Sequence, residues 1–333
     1  MKRFAALAWL AALALASPAR SEAWREVMAL GKFEPVVVRD EGIEARVEAV
    51  TVTAGGDEVT AARVTASFPG HAPIDMPVDP IRDDAYPLSI GIGHLGPGDA
   101  DPVVIVEGYS GGAHCCATFA MAALVDGAVV PLWLPPIDGS PATEFPTDID
   151  GDGVADIRRT DDGFLYAFAS YAASVPVPRI WNLRGGRLVD VSAEPRFASV
   201  WRELADEALP ACADQESAER NGACAAYAAA KARLGEAEDG VATAVKNAAP
   251  SDWLPESCSI EPGDGVCPDD KKVKFASFEQ ALRWMLADHG YIDLPPPPAG
   301  GTPPASEVPI DRAAPVLDQE GVGPAEVPAA EKP

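Results

Sequence analysis

Residues 34 to 193 carry the period-two pattern of β-structure. Ala45-Arg46-Val47-Glu48-Ala49-Val50-Thr51-Val52 and Ala62-Arg63-Val64-Thr65-Ala66-Ser67-Phe68 alternate apolar with polar residues. A strand turns successive side chains to opposite faces, so this spacing predicts strands with one face on a core. Val36-Val37-Val38 predicts another, and Gly55-Gly56 and Pro69-Gly70 mark turns. Val103-Val104-Ile105-Val106 lacks the polar alternation and predicts a strand covered on both faces. Val125-Asp126-Gly127-Ala128 and Leu183-Arg184-Gly185-Gly186-Arg187 each set two turn-forming residues between strand-like runs, which predicts two hairpins.

The hairpins belong to what reads as a doubled unit. Gly98-Asp99-Ala100-Asp101-Pro102 leads into a strand, then Gly108-Tyr109, a further strand and the first hairpin. Gly153-Val154-Ala155-Asp156-Ile157 leads into a strand, then Gly163-Phe164, a further strand and the second hairpin. Asp101 matches Asp156, while Leu95 and Pro97 stand where the second copy has Asp150 and Asp152.

From residue 196 the pattern becomes helical. Phe197 to Leu204 and the alanine-rich Ala223 to Leu234 have helical composition. Ser277-Phe278-Glu279-Gln280 is a capping-box sequence opening a helix from Phe278 to His289, with Gly290 set to stop it. The pattern therefore predicts an α+β chain. A β-rich domain (24–195), arranged as a partial propeller-like body or a β-sandwich, precedes a small disulfide-bonded helical domain (196–293).

Both ends are expected to lie outside this architecture. Lys2 and Arg3 precede an apolar run from Phe4 to Ala16, with small residues at Ala19 and Ala23, as in an export signal over residues 1–23. No later segment is long and apolar enough to span a bilayer. Residues 294–333 begin Leu294-Pro295-Pro296-Pro297-Pro298 and stay rich in Pro, Ala, Glu and Gly, which predicts a disordered tail. Such a segment can also serve as a polyproline II ligand.

A net charge of -25 excludes nucleic acid as a partner and suits divalent cations. Six cysteines in an exported chain favour disulfides. Proximity pairs Cys212 with Cys224 and Cys258 with Cys267. Cys115 and Cys116 are adjacent, so a bond between them is strained, and both could pair elsewhere instead.

Asp148-Ile149-Asp150-Gly151-Asp152-Gly153-Val154-Ala155-Asp156 carries the most readable chemistry. Four carboxylates on a glycine-softened turn supply hard oxygen ligands, which suit Ca²⁺. The ligands expected are Asp148, Asp150, Asp152, the carbonyl of Val154, and Asp156. An EF-hand would need a bidentate Glu where Arg159 stands, and helices where the flanks read as strand. The loop instead resembles the integrin-type FG-GAP and VCBS-like repeats of secreted proteins. That resemblance covers roughly residues 90 to 193. It implies a propeller or related β-architecture, a structural Ca²⁺, and recognition or adhesion as the use.

Gly108-Tyr109-Ser110-Gly111-Gly112-Ala113-His114-Cys115-Cys116 is the second conspicuous stretch. Its GGAHCC segment is similar to uncharacterised exported bacterial proteins of the same repeat-like kind. Tyr109 and His114 are candidate recognition residues there, with Tyr109 offering a flat ring to a sugar or peptide. His114, Cys115 and Cys116 also have the chemistry of a soft-metal site. The same stretch contains G-x-S-x-G, so an alternative is a secreted serine hydrolase with Ser110 as nucleophile and His289 as base. Helix after Gly112 would support that alternative. His71 and His94 read as solvated turn residues.

The function expected is an exported, periplasmic or secreted, calcium-binding protein without a catalytic site. It would recognise an envelope protein or a glycan.

Overall fold

Alternation in the first half produces two antiparallel sheets that share one core. The computed structural model describes residues 25–27, 35–54, 57–77, 88–96, 101–109, 115–142, 144–251, 253–255, 257–258 and 267–293. The expected export signal, the expected tail, Ser110, His114 and the side chain of Cys115 lie outside them. The chain forms two compact units, residues 1–162 with 178–188, and residues 163–177 with 189–333.

In the first unit β1 (Arg25–Val27), β2 (Val36–Asp40), β3 (Ile43–Ala54), β4 (Asp57–Ser67) and β5 (Ile74–Asp75) come first. They are followed by β6 (Leu88–Gly93), β7 (Val103–Tyr109), β8 (Cys115–Val125) and β9 (Ala128–Asp138). One sheet has the order β2-β3-β4-β5 and the other β1-β6-β7-β8-β9. Ile43, Ala45 and Val47 alternate with Glu44 and Arg46, so they face inward with Ala62, Val64 and Ala66 of β4. Their partners across the core are Leu88, Ile90 and Ile92 of β6, Val104 and Val106 of β7, and Ala120 and Ala122 of β8. This is a sandwich rather than a propeller-like body.

All seven residues of β7 are buried, matching its unbroken apolar run. β9 carries Pro131, Pro135 and Pro136, which a sheet tolerates at its edge, and β9 is the last strand of its sheet. The β8–β9 turn uses Asp126 (φ 50) and Gly127 (φ 79), the left-handed pair that a two-residue hairpin demands. A second hairpin joins β11 (Val177–Arg184) to β12 (Arg187–Asp190) through Gly185 (φ 55) and Gly186 (φ 75). With β10 (Ile157–Asp161) these form a three-stranded sheet in chain order, the same order as β7-β8-β9. Gly163-Phe164 does not lead straight into a strand; short 3-10 turns and irregular chain fill the interval to β11.

The second unit is built on α1 (Ala198–Ala213), α2 (Asn221–Arg233), α3 (Ala237–Asn247) and α4 (Phe278–Asp288), with a small ribbon of β13 (Ser257–Cys258) and β14 (Lys272–Val273). α2 is buried from Asn221 to Ala230, its alanines letting its neighbours approach closely. Asn221 pairs both ways with the backbone of Ala249 (2.7 and 3.1 Å), which satisfies its buried amide. At α4 the Ser277 hydroxyl accepts from Gln280 N (3.2 Å), and Gly290 ends the helix at φ 71. The disulfides Cys212–Cys224 and Cys258–Cys267 form as proximity predicted, and Cys116 is also disulfide-bonded. Among the described residues no helix is long and apolar enough to cross a membrane.

Candidate metal centre

The loop between β9 and β10 turns its backbone donors onto its own carboxylates. Gly151 (φ 82) and Gly153 (φ 87) adopt the left-handed conformation that costs glycine nothing. Asp148 Oδ1 then accepts from the N–H of Gly151 (2.7 Å) and of Asp152 (3.1 Å), and its Oδ2 accepts from Gly153 (2.8 Å). Asp152 N also donates to Asp150 Oδ1 (3.0 Å), and Val154 N donates to Asp152 Oδ1 (2.8 Å). Short acidic side chains capture nearby N–H groups in this way at tight turns. Asp156 N donates to Thr147 O (2.9 Å) and closes the loop, while Ala155 N donates to Leu95 O (2.7 Å) and fastens it beyond the end of β6.

One oxygen each of Asp148, Asp150 and Asp156 lie within 4.8 Å of one another. Among the described residues this is the one such group of three or more acidic, His or Cys side chains. Asp156 is 2% exposed. Its Oδ2 accepts from Ile149 N (2.8 Å) and its Oδ1 from Asn182 Nδ2 (2.7 Å). Nothing local in the sequence marks Asn182, which comes from a separate strand. Asp152 does not belong to the convergent group; it is exposed and takes part through its turn bonds. The donors are oxygens only, with no Cys or His, and a carboxylate offers about four lone-pair directions in all. That donor set fits a hard cation of flexible coordination such as Ca²⁺, with Val154 O available from the same turn.

Arg159, at the twelfth position of the loop, is no ligand. It runs along β10 into the interior, 8% exposed, and donates to Ala117 O (2.9 Å) and Pro135 O (3.3 Å). Its neighbour in charge is Glu107 of β7, 3% exposed, which accepts from Ala142 N (2.9 Å). Burial raises the Glu107 carboxyl above its usual range, and Arg159 and the Ala142 N–H oppose that rise. Burial lowers the Arg159 guanidinium, with Glu107 opposing. Nothing local in the sequence marks either Glu107 or Arg159 as a buried charge.

Three expectations need correction. Cys115–Val125 is a strand paired antiparallel with β7, not the helix that a nucleophile elbow requires after G-x-S-x-G. The hydrolase alternative built on Ser110 therefore fails, and His289 is instead packed edge-on to Phe164, with ring centroids 6.0 Å apart. Tyr109 is 7% exposed, so its ring packs inside and presents no flat face to a ligand. His94 is not merely solvated: its Nε2 lies 2.8 Å from Glu41 Oε2.

A family model described as the sll0997 C-terminal domain matches residues 201–290, from α1 through α4, and leaves out the aspartate loop. The chain is 36% identical over 200 residues to a probable thylakoid lumen protein, sll0997, of Synechocystis, covering 58% of this chain and 57% of that one. It is 32% identical over 195 residues to the uncharacterized protein y4bJ of Sinorhizobium fredii, covering 58% of this chain and 30% of that one. The chain thus spans less than two thirds of the length of either curated relative. No solved structure matches it. Disulfides form in oxidising compartments, and the cyanobacterial relative is a probable thylakoid lumen protein. The chain is an exported protein, periplasmic or secreted.

Proposed function

We propose that this exported protein binds Ca²⁺ in the Asp148–Asp156 loop, and that the cation stabilises a β-domain used for recognition or adhesion at the cell envelope. The reading is supported above all by the convergence of Asp148, Asp150 and Asp156 on one point. Three carboxylates brought that close repel one another, and a bound cation relieves the repulsion. The loop joins β9 to β10 and is tied to Leu95 and Asn182, so a bound ion would brace three separate segments of the same unit. The partner would be an envelope protein or a glycan.

A ligand that binds only the folded state adds about 2.7 kcal/mol at a hundredfold excess over its Kd. For a unit of this size that is a rise of about 5–10 °C in Tm. Thermal melting in excess Ca²⁺ and in chelator reads it directly, with an Asp150→Ala, Asp156→Ala variant as control. An unchanged midpoint in the natural chain, or an equal shift in the variant, refutes a specific site.

A further inference from the structure

We propose that the proline run Pro295–Pro298 of this chain docks as a polyproline II helix on an aromatic surface formed by Tyr166, Tyr171 and Trp253. Tyr166 and Trp253 are 38% and 46% exposed, two of the four large hydrophobic side chains on the surface among the described residues. They are not scattered. The Trp253 indole donates to Tyr166 O at 2.8 Å, and the rings of Tyr166 and Tyr171 lie 5.4 Å apart, tilted by 42°.

The surface is held at some expense. Tyr166 has φ 60, a left-handed conformation that a bulky residue rarely adopts. Its N–H donates to Ser174 Oγ (3.2 Å) and its carbonyl accepts the indole, so both of its peptide groups are fixed. Strain of this kind persists where the surrounding structure over-determines it, and it concentrates at binding sites.

The occupant is argued from chemistry and from reach. Exposed tyrosine and tryptophan rings form the grooves that receive polyproline II segments, whose lack of internal hydrogen bonds and low entropy make them ready ligands. Tyr291 packs on Phe164 with centroids 5.4 Å apart, and Phe164 is two residues from Tyr166. Pro295 follows Tyr291 by four residues, at most about 14 Å of chain. The aromatic cluster therefore lies within chain reach of the start of the run. Residues 294 to 306 carry no charge, so they approach a chain of net charge -25 without repulsion. Tethering gives an effective concentration of about millimolar, enough to populate a contact that is weak for a free peptide.

The test is the Trp253 indole N–H resonance in the ¹⁵N-labelled full chain, assigned by its loss in Trp253→Phe. Replacing all four prolines Pro295–Pro298 with Ser displaces that resonance, and the amides of Tyr166 and Tyr171, by more than their linewidths. Adding a synthetic peptide of residues 294–306 to the Ser variant returns them saturably toward the natural positions. Resonances unmoved by the Pro→Ser change overturn the proposal. So does a peptide that fails to move them, or a natural-chain position that changes on dilution, which would assign the contact to a second copy.

Discussion

Asn182 of β11 donates its side-chain amide to Asp156 Oδ1 at 2.7 Å across 26 residues of sequence. The two are 1% and 2% exposed, and Arg184 Nη2 donates to Asn182 Oδ1 (3.3 Å), which leaves the amide nitrogen turned to the aspartate. Asp156 is thus aimed from outside its own loop, and Asn182 is to Asp156 what an outer-shell partner is to a metal ligand. On the proposed Ca²⁺ reading, truncation in Asn182→Ala is expected to lower Ca²⁺ affinity about 10- to 100-fold. It should also cost about 1–3 kcal/mol in chelator, because a buried carboxylate oxygen loses its donor. Calorimetric titration with Ca²⁺ and urea denaturation in chelator check the two effects separately. Unchanged affinity together with lost stability would make Asn182 a packing residue only.

The same contact explains how much of the site could be read beforehand. The loop is legible because its chemistry is local: Gly151 and Gly153 permit the turn, and the aspartates bond to N–H groups a few residues away. The hairpins at Asp126-Gly127 and Gly185-Gly186 and the cap at Ser277 are legible for the same reason. Elements whose reasons lie elsewhere in the chain are not. α3 reads poorly as a helix because Gly240 stands inside it, yet a Cβ there would meet Lys231 Cβ of α2 at 2.5 Å. β6 reads poorly as a strand because glycines stand at 91 and 93, between and after the isoleucines. All six of its residues are buried, and a Cβ on Gly93 would strike the Phe145 ring at 2.8 Å.

Glu107 supplies a pH test inside the sandwich unit. Its carboxyl is raised from an ordinary 4.5 chiefly by burial. A raised carboxyl stabilises the fold below its ordinary value, and that contribution is lost as pH rises through the folded value. Glu107→Gln keeps an acceptor for Ala142 N but does not titrate. The stability of the natural chain relative to Glu107→Gln should therefore fall as pH rises from the ordinary 4.5 through the raised folded value. Urea midpoints for both chains across that range measure it; a constant offset would contradict the buried-carboxyl assignment.

In the helical unit, Gly163 is required by a side chain rather than by its backbone. A Cβ there would lie 1.8 Å from His289 Cε1, and its φ is not in the left-handed region. Gly163→Ala should destabilise by about 1–3 kcal/mol, as overpacking does. Removing the ring in a Gly163→Ala, His289→Ala double variant should recover part of that loss. A coupling of about 0.5–3 kcal/mol is expected. Denaturation of the four chains of the cycle measures it, and additive losses would show that the imidazole is not what Gly163 accommodates.

The Cys212–Cys224 bond closes a loop of 12 residues between the end of α1 and the start of α2, and both cysteines are fully buried. In the chain-entropy model a loop of that size contributes about 3 kcal/mol by restricting the unfolded chain. A Cys212→Ala, Cys224→Ala chain should lose roughly that much, plus a smaller term for the space left between the helices. Burial also shields the bond, so a mild reductant should leave it intact in the folded protein and cleave it only as denaturant opens the unit. Thiol counting across a urea series in reductant follows the opening. Thiols from this pair appearing well before the unfolding transition would mean that α1 and α2 separate locally, and the bond would then be a latch on a mobile pair of helices instead of a brace within a packed one.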